Sequence, residues 1–242
     1  MLDTELDSQR IVILGGTSGI GLATAERAAA EGATVIVASS RADRIDAALE
    51  RLPAGAEGYA VDVRREEQVR DLFNQVGSFD HLAFTAGERL QLGAIADTDL
   101  DSARHALEIR LWGAYTAVKH GVAHLRPGGS IVLSSGIAGT RPNANWTVAS
   151  SICGALDALT RALAVELAPI RVNAVAPGVV RSDLWQAMSE ADRSAMYASL
   201  SEALPVGRVG EVGDVAETFL YLMRNGYSSG TIVTVDGGSV LV

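Results

Sequence analysis

The chain has 242 residues, 48% of them hydrophobic, with 25 glycines and a formal net charge of -9. That is enough for one sizeable core, and a single α/β domain over 1–242 is the economical expectation. The acidity argues against a nonspecific grip on nucleic acid or on an anionic membrane, both of which select Lys/Arg surfaces.

No run of about 18 uncharged apolar residues occurs, and the opening MLDTELDSQR is acidic rather than basic, so a soluble, cytosolic protein is expected. A single cysteine, Cys153, excludes an intrachain disulfide, and His81, His105, His120 and His124 do not cluster with Cys or carboxylates, so no metal site is expected. Of the 20 basic residues only Lys119 is a lysine.

In chain order, 11–14 (IVIL), 34–38 (TVIVA), 57–61 (EGYAV), 80–84 (DHLAF), 130–134 (SIVLS), 171–175 (RVNAV) and 231–235 (TIVTV) read as strands. Between them, 21–31, 43–51, 65–76, 99–124, 153–167 and 212–224 carry helical apolar spacing. Strands alternating with helices need right-handed crossovers and lie parallel, which predicts one Rossmann-type doubly wound sheet of about seven strands with helices on both faces. The stretch 183–204 interrupts the alternation with helical polar residues mixed with Trp185, Met188, Met196 and Tyr197. Ahead of the last unit, it reads either as a substrate lid or as an ordinary packing helix.

The first strand runs directly into Gly15-Gly-Thr17-Ser18-Gly19-Ile20-Gly21, which opens the first helix. Glycines there let the backbone approach a pyrophosphate, while helix N–H groups and the positive dipole end stabilise its charge. At the end of the second strand a ribose-reading acid would select NAD(H). Here the sequence is Ser39-Ser40-Arg41, whose hydroxyls and guanidinium suit a 2′-phosphate and so favour NADP(H); the other reading leaves Arg41 facing solvent.

With these residues in place the chain resembles the short-chain dehydrogenase/reductase family from about residue 10 onward. The resemblance rests on Gly15, Gly19 and Gly21 (with Leu14 where a threonine is common), on Asp62-Val63 as the adenine-contacting pair, and on Ala86-Gly87 beside the cofactor ribose. It extends through Arg171-VNAVAPGVVR-Ser182 to Val235-Asp-Gly-Gly238. The resemblance implies that Pro177, Gly178, Val179 and Ser182 line the nicotinamide carboxamide. It also implies a homotetramer or homodimer built through the long fourth and fifth helices.

The family's serine that orients the carbonyl corresponds to Ser135 in Leu133-Ser-Ser-Gly136. Its proton-donating tyrosine and the lysine four residues on correspond to Ala149 and Cys153. A free phenol with a pKa near 10 is a poor catalyst at neutral pH until a cation shifts it, so the pair matters. No tyrosine lies between 116 and 196 and no lysine after 119, so no shifted alignment restores it. Tyr115-Thr-Ala-Val-Lys119 has the right spacing but precedes the Ser135 strand, and reads as packing or subunit contact.

The family's relay asparagine is Arg110 here, in Glu108-Ile-Arg-Leu-Trp-Gly113. A guanidinium can bind a carboxylate or polarise a carbonyl or imine, or it can sit in an ion pair with Asp157 or Glu108. Cys153 reads as a small buried hydrophobe rather than a thiolate. Trp146 either walls the substrate pocket or covers the core.

Three functions remain open. The first is an atypical NADPH-dependent reductase of a small, largely apolar carbonyl or imine/iminium compound, with Ser135 and Arg110 as its catalytic residues. The second is a non-redox enzyme of cyclase or lyase type on the same fold. The third is an NADP(H)-binding protein without catalysis.

Overall fold

The computed structural model describes residues 6–87 and 92–242. Seven parallel strands form one sheet in the order β3-β2-β1-β4-β5-β6-β9. They are β1 Arg10–Leu14, β2 Thr34–Ser39, β3 Glu57–Ala60, β4 Phe79–Phe84, β5 Leu125–Ser134, β6 Arg171–Pro177 and β9 Ile232–Val235. Two short strands, β7 Val180–Arg181 and β8 Gly210–Glu211, pair beside it; hydrophobic patterning gave no sign of them.

Alternate residues of each strand feed opposite layers, as the period of two requires. Val12, Leu14, Leu82, Phe84, Ile131 and Leu133 pack under α3 (Glu66–Val76), α5 (Gly113–Gly121) and α6 (Thr147–Glu166). Ile11, Ile13, Ala83, Val132 and Val175 pack under α1 (Gly19–Ala30) and α8 (Val212–Arg224). The remaining helices are α2 (Ala42–Leu49), α4 (Leu100–Leu107) and α7 (Glu190–Ala203). The doubly wound sheet is thus the expected one, and its switch point falls between β1 and β4, where neighbours on either side run in opposite order.

Helix α6 is long and apolar enough to cross a membrane by length and composition. Here it carries Asp157 and Thr160, both buried, and packs Ile152 and Leu156 into the core layer. In the opposite layer, Arg171 is buried and donates to the carbonyl oxygens of Leu222 (2.7 Å), Met223 (2.7 Å) and Asn225 (2.8 Å). The guanidinium satisfies carbonyls that a helix end leaves open and opposes its negative dipole. It thereby ties α8 to the strand that leads into Pro177.

Two expectations change in detail. The predicted helix 99–124 is not continuous: α4 passes into a π turn, Glu108–Trp112, before α5 begins. The apolar spacing runs through both kinds of turn, so periodicity could not reveal it. The stretch 183–204 is a short 3-10 turn, Asp183–Trp185, followed by α7, with Trp185 and Tyr197 buried together against Val209. Arg181 lies over the Tyr197 ring at 4.4 Å.

Candidate active site

The carboxyl ends of β1, β2, β4, β5 and β6 open into one cleft of about 600 Å³. Gly15, Thr17, Ser18, Gly19, Ile20 and Gly21 line it at the first turn, and Ser39, Ser40 and Arg41 at the second. Asp62 and Val63 continue the wall, then Ala86 and Gly87, Arg110, Ser135, and finally Pro177, Gly178, Val179 and Ser182. Every residue singled out for cofactor or chemistry therefore meets in one place, although they span most of the chain.

The glycine loop fits a dinucleotide on its own geometry. Gly15 has φ +88°, and a Cβ there would lie 2.5 Å from the Ala86 nitrogen; a Cβ at Gly21 would lie 2.2 Å from the Gly15 oxygen. Only glycine permits that approach. Ser18 makes no side-chain cap on α1, and the first turn carries no acid, so the helix's positive end faces the cleft without a competing anion from its own first turn.

At the second turn Arg41 engages Asp43, Nε to Oδ1 at 3.1 Å and Nη2 to Oδ2 at 2.5 Å. Arg44 and Arg64 also line the cleft, a wider basic rim than the sequence reading assigned. Arg44 lies one turn from Arg41 and Arg64 two residues from Asp62, so spacing could have found both. Arg64 holds Asp62 through both carboxylate oxygens, at 2.9 Å and 2.6 Å, and that bond lowers the Asp62 pKa.

At the inner end Ser135 donates from Oγ to Asp157 Oδ1 at 2.6 Å, with the Cys153 carbonyl oxygen at 3.3 Å. Asp157 is 8% exposed. It follows Cys153 by four residues and so shares its face of α6. Sequence reading considered Asp157 only as a counterion for Arg110; in the structure its hydrogen-bond partner is Ser135. Helical spacing from Cys153 was the signal available.

Ala149 and Cys153, which the sequence resemblance aligns with the family's tyrosine and lysine, both line the cleft. Burial raises the Cys153 thiol pKa, opposed in part by the Arg110 charge and assisted by Asp157, which keeps the thiol protonated at neutral pH. Trp146 lines the cleft as well, which decides its reading in favour of the pocket wall. Tyr115 and Lys119 do not: Tyr115 stacks edge-on against Trp112 at the surface, and Lys119 pairs with Glu66 at 2.6 Å. Among the described residues no group of His, Cys, Asp and Glu is arranged to hold a metal.

Residues 15–239 match the family model described as Enoyl-(Acyl carrier protein) reductase. Short-chain dehydrogenase/reductase fsr5 of Gibberella fujikuroi is 34% identical over 98% of this chain and 97% of its own length. The chain belongs to the short-chain dehydrogenase/reductase family. Within that family, a small-chain dehydrogenase crystallised in complex with NADPH is 39% identical and superposes with a TM-score of 0.87 over 98% of this chain and 100% of its own. The MalC Reductase/Diels-Alderase from Malbranchea aurantiaca is 25% identical, with a TM-score of 0.91 over 99% of both chains. The short-chain dehydrogenase/reductase fold explains why the cleft sits at the β1/β4 switch point, where ligands of such sheets bind.

Proposed function

We propose that the protein is an atypical NADPH-dependent reductase of a small, largely apolar carbonyl or imine/iminium compound, working without the tyrosine–lysine proton relay. The observation that carries this reading is one cleft that gathers the glycine loop, the Ser39–Arg41 turn and Ser135, with Ala149 and Cys153 lining its inner end. When bound, NADPH supplies the hydride. The residues of the glycine loop hold the pyrophosphate, Arg41 with Ser39 and Ser40 selects the 2′-phosphate, and Pro177, Gly178, Val179 and Ser182 hold the carboxamide end. The NADPH complex of the 39%-identical relative supports that cofactor assignment.

Ser135 and Arg110 orient the acceptor, and Trp146, Leu184 and Trp185 give the cleft apolar wall that excludes water around it. The segment beyond Ser182 acts as the substrate's cover: its first residues, Asp183 to Gln186, already line the cleft. The protein works as a homodimer or homotetramer. Exposed Trp112 and Tyr115 supply apolar surface beside α5 for such an interface.

A second reading, a non-redox ring-forming activity in the same cleft, is favoured by the likeness to MalC, a protein described as both reductase and Diels-Alderase. Fluorescence titration with NADPH and NADH, followed by deuteride transfer from labelled NADPH to a panel of imines and activated carbonyls, separates the two. Selective NADPH binding with label in the product supports the reductase. Turnover without NADPH consumption replaces it with the second reading.

A further inference from the structure

We propose that Asp157 is a positioning residue that makes Ser135 a hydrogen-bond acceptor towards the substrate, so that the cleft selects a ligand atom carrying a hydrogen, the N–H of an iminium ion, over a bare carbonyl oxygen. This inference rests on the reductase reading and narrows its substrate class.

A serine hydroxyl has one proton and two lone pairs. In Ser135 the proton points at Asp157 across 2.6 Å, the short distance typical of a hydroxyl bonded to a carboxylate. Turning that proton to a substrate carbonyl would break a charge-assisted bond and leave a buried carboxylate short of a donor, and both changes are costly. Asp157 has little freedom to follow. It is buried, and its Oδ2 lies 3.2 Å from where a Cβ on Gly139 would stand, so the bare glycine is what admits it.

Ser135 lines the cleft, and with its proton committed to Asp157 its oxygen has lone pairs to offer a ligand, made more negative by the carboxylate behind it. In the positions where a phenol and an ammonium would supply donors stand a methyl, Ala149, and a thiol, Cys153, which is a weak donor. Arg110 lines this end of the cleft as well, and a guanidinium suits an acceptor elsewhere on the ligand, while Ser135 takes the hydrogen. The chemistry balances without a proton relay. Hydride adding to the carbon of a C=N⁺ group moves the π pair onto nitrogen and yields a neutral amine, so no proton has to be delivered.

The test is a calorimetric titration of the NADP⁺-saturated protein with two ligands of one shape, 1,2,3,4-tetrahydroisoquinolinium and 2-tetralone. Wild type is expected to favour the ammonium ligand by about tenfold or more, the worth of one hydrogen bond of this kind. Asp157→Ala releases the Ser135 proton and shifts the ratio by about tenfold towards the ketone, with NADPH affinity unchanged. Asp157→Asn, which keeps an oxygen able to accept that proton, retains most of the preference.

If Asp157→Ala does not fold, Ser135→Ala carries the same test, and the preference must vanish there too. Wild type that binds the ketone as well or better, that binds neither ligand, or whose ratio Asp157→Ala leaves unmoved, overturns the proposal. The ratio does not depend on turnover, so failed deuteride transfer removes the reductase reading while this result stands or falls separately.

Discussion

The Arg110 guanidinium rests on the bare face of Gly87: a Cβ there would stand 2.7 Å from its Cζ and 2.8 Å and 2.9 Å from its two Nη atoms. The loop after β4 and the π turn before α5 are therefore one contact, through which the smallest residue of one sets the position of a cation at the inner end of the cleft.

The atoms in the way belong to the end of a flexible side chain, so Gly87→Ala should displace the guanidinium rather than the backbone. We expect a melting temperature close to wild type and a fall in kcat/KM of about tenfold or more, since misplacing a positioning group by about 1 Å costs that much. A double-mutant cycle checks the route: Gly87→Ala in an Arg110→Ala background should add little further loss. A full additional loss would mean that Gly87 acts on the cofactor instead.

Arg41 reaches any phosphate already engaged by Asp43. Arg41→Ala should weaken NADPH binding by about tenfold or more, the contribution of a charge-assisted pair, and leave NADH binding unchanged. Asp43→Asn should act oppositely and tighten NADPH by a few-fold, most visibly at low salt, because an exposed pair is worth about 1 kcal/mol or less. Fluorescence titrations with both cofactors decide it; equal loss of NADH affinity in Arg41→Ala would remove the 2′-phosphate assignment.

His81 is buried beneath the sheet, with Nδ1 at 2.8 Å from Ser130 Oγ and Nε2 at 2.5 Å from Gln9 Oε1. Burial, reinforced by the Arg171 charge and opposed by Asp80, pushes its pKa down to about 4. The native state thus keeps His81 neutral while the unfolded chain takes up a proton near pH 6.5. Its stabilising contribution is complete above that pH and is lost as pH falls towards 4. Urea unfolding should show about 2 kcal/mol less stability at about pH 5 than at about pH 7.5 from this group, and His81→Gln should flatten that slope. The carboxylates with lowered values, Asp43, Asp62, Glu66, Asp99 and Asp214, titrate below this window.

The layered fold and the cofactor cleft were legible because both are written in local signals. Short β-branched apolar runs marked the strands, and the glycine loop after β1 announced the switch point. The inner site was only half legible. That no tyrosine lies between 116 and 196 and no lysine after 119 could be read from the sequence alone. That Ser135 gives its proton to Asp157 could not, because two residues 22 positions apart meet only after α6 has packed against the end of β5. The π turn was hidden for a different reason: it changes backbone hydrogen bonding without changing which residues are apolar.

That turn has a consequence for how such a cleft diversifies. A π turn accommodates one residue more than an α turn, and each residue of an α-helix advances the side-chain direction by about 100°. Because the wider turn absorbs the extra residue, removing one residue from Glu108–Trp112 would close α4 and α5 into one regular helix with both flanks still in register. The side chain that this turn presents to the cleft would then change while α4 and α5 kept their places in the core. The identity of the polar group at the inner site is in this sense a matter of chain length as well as of codon, and a lineage can exchange it through insertion or deletion without touching a buried residue.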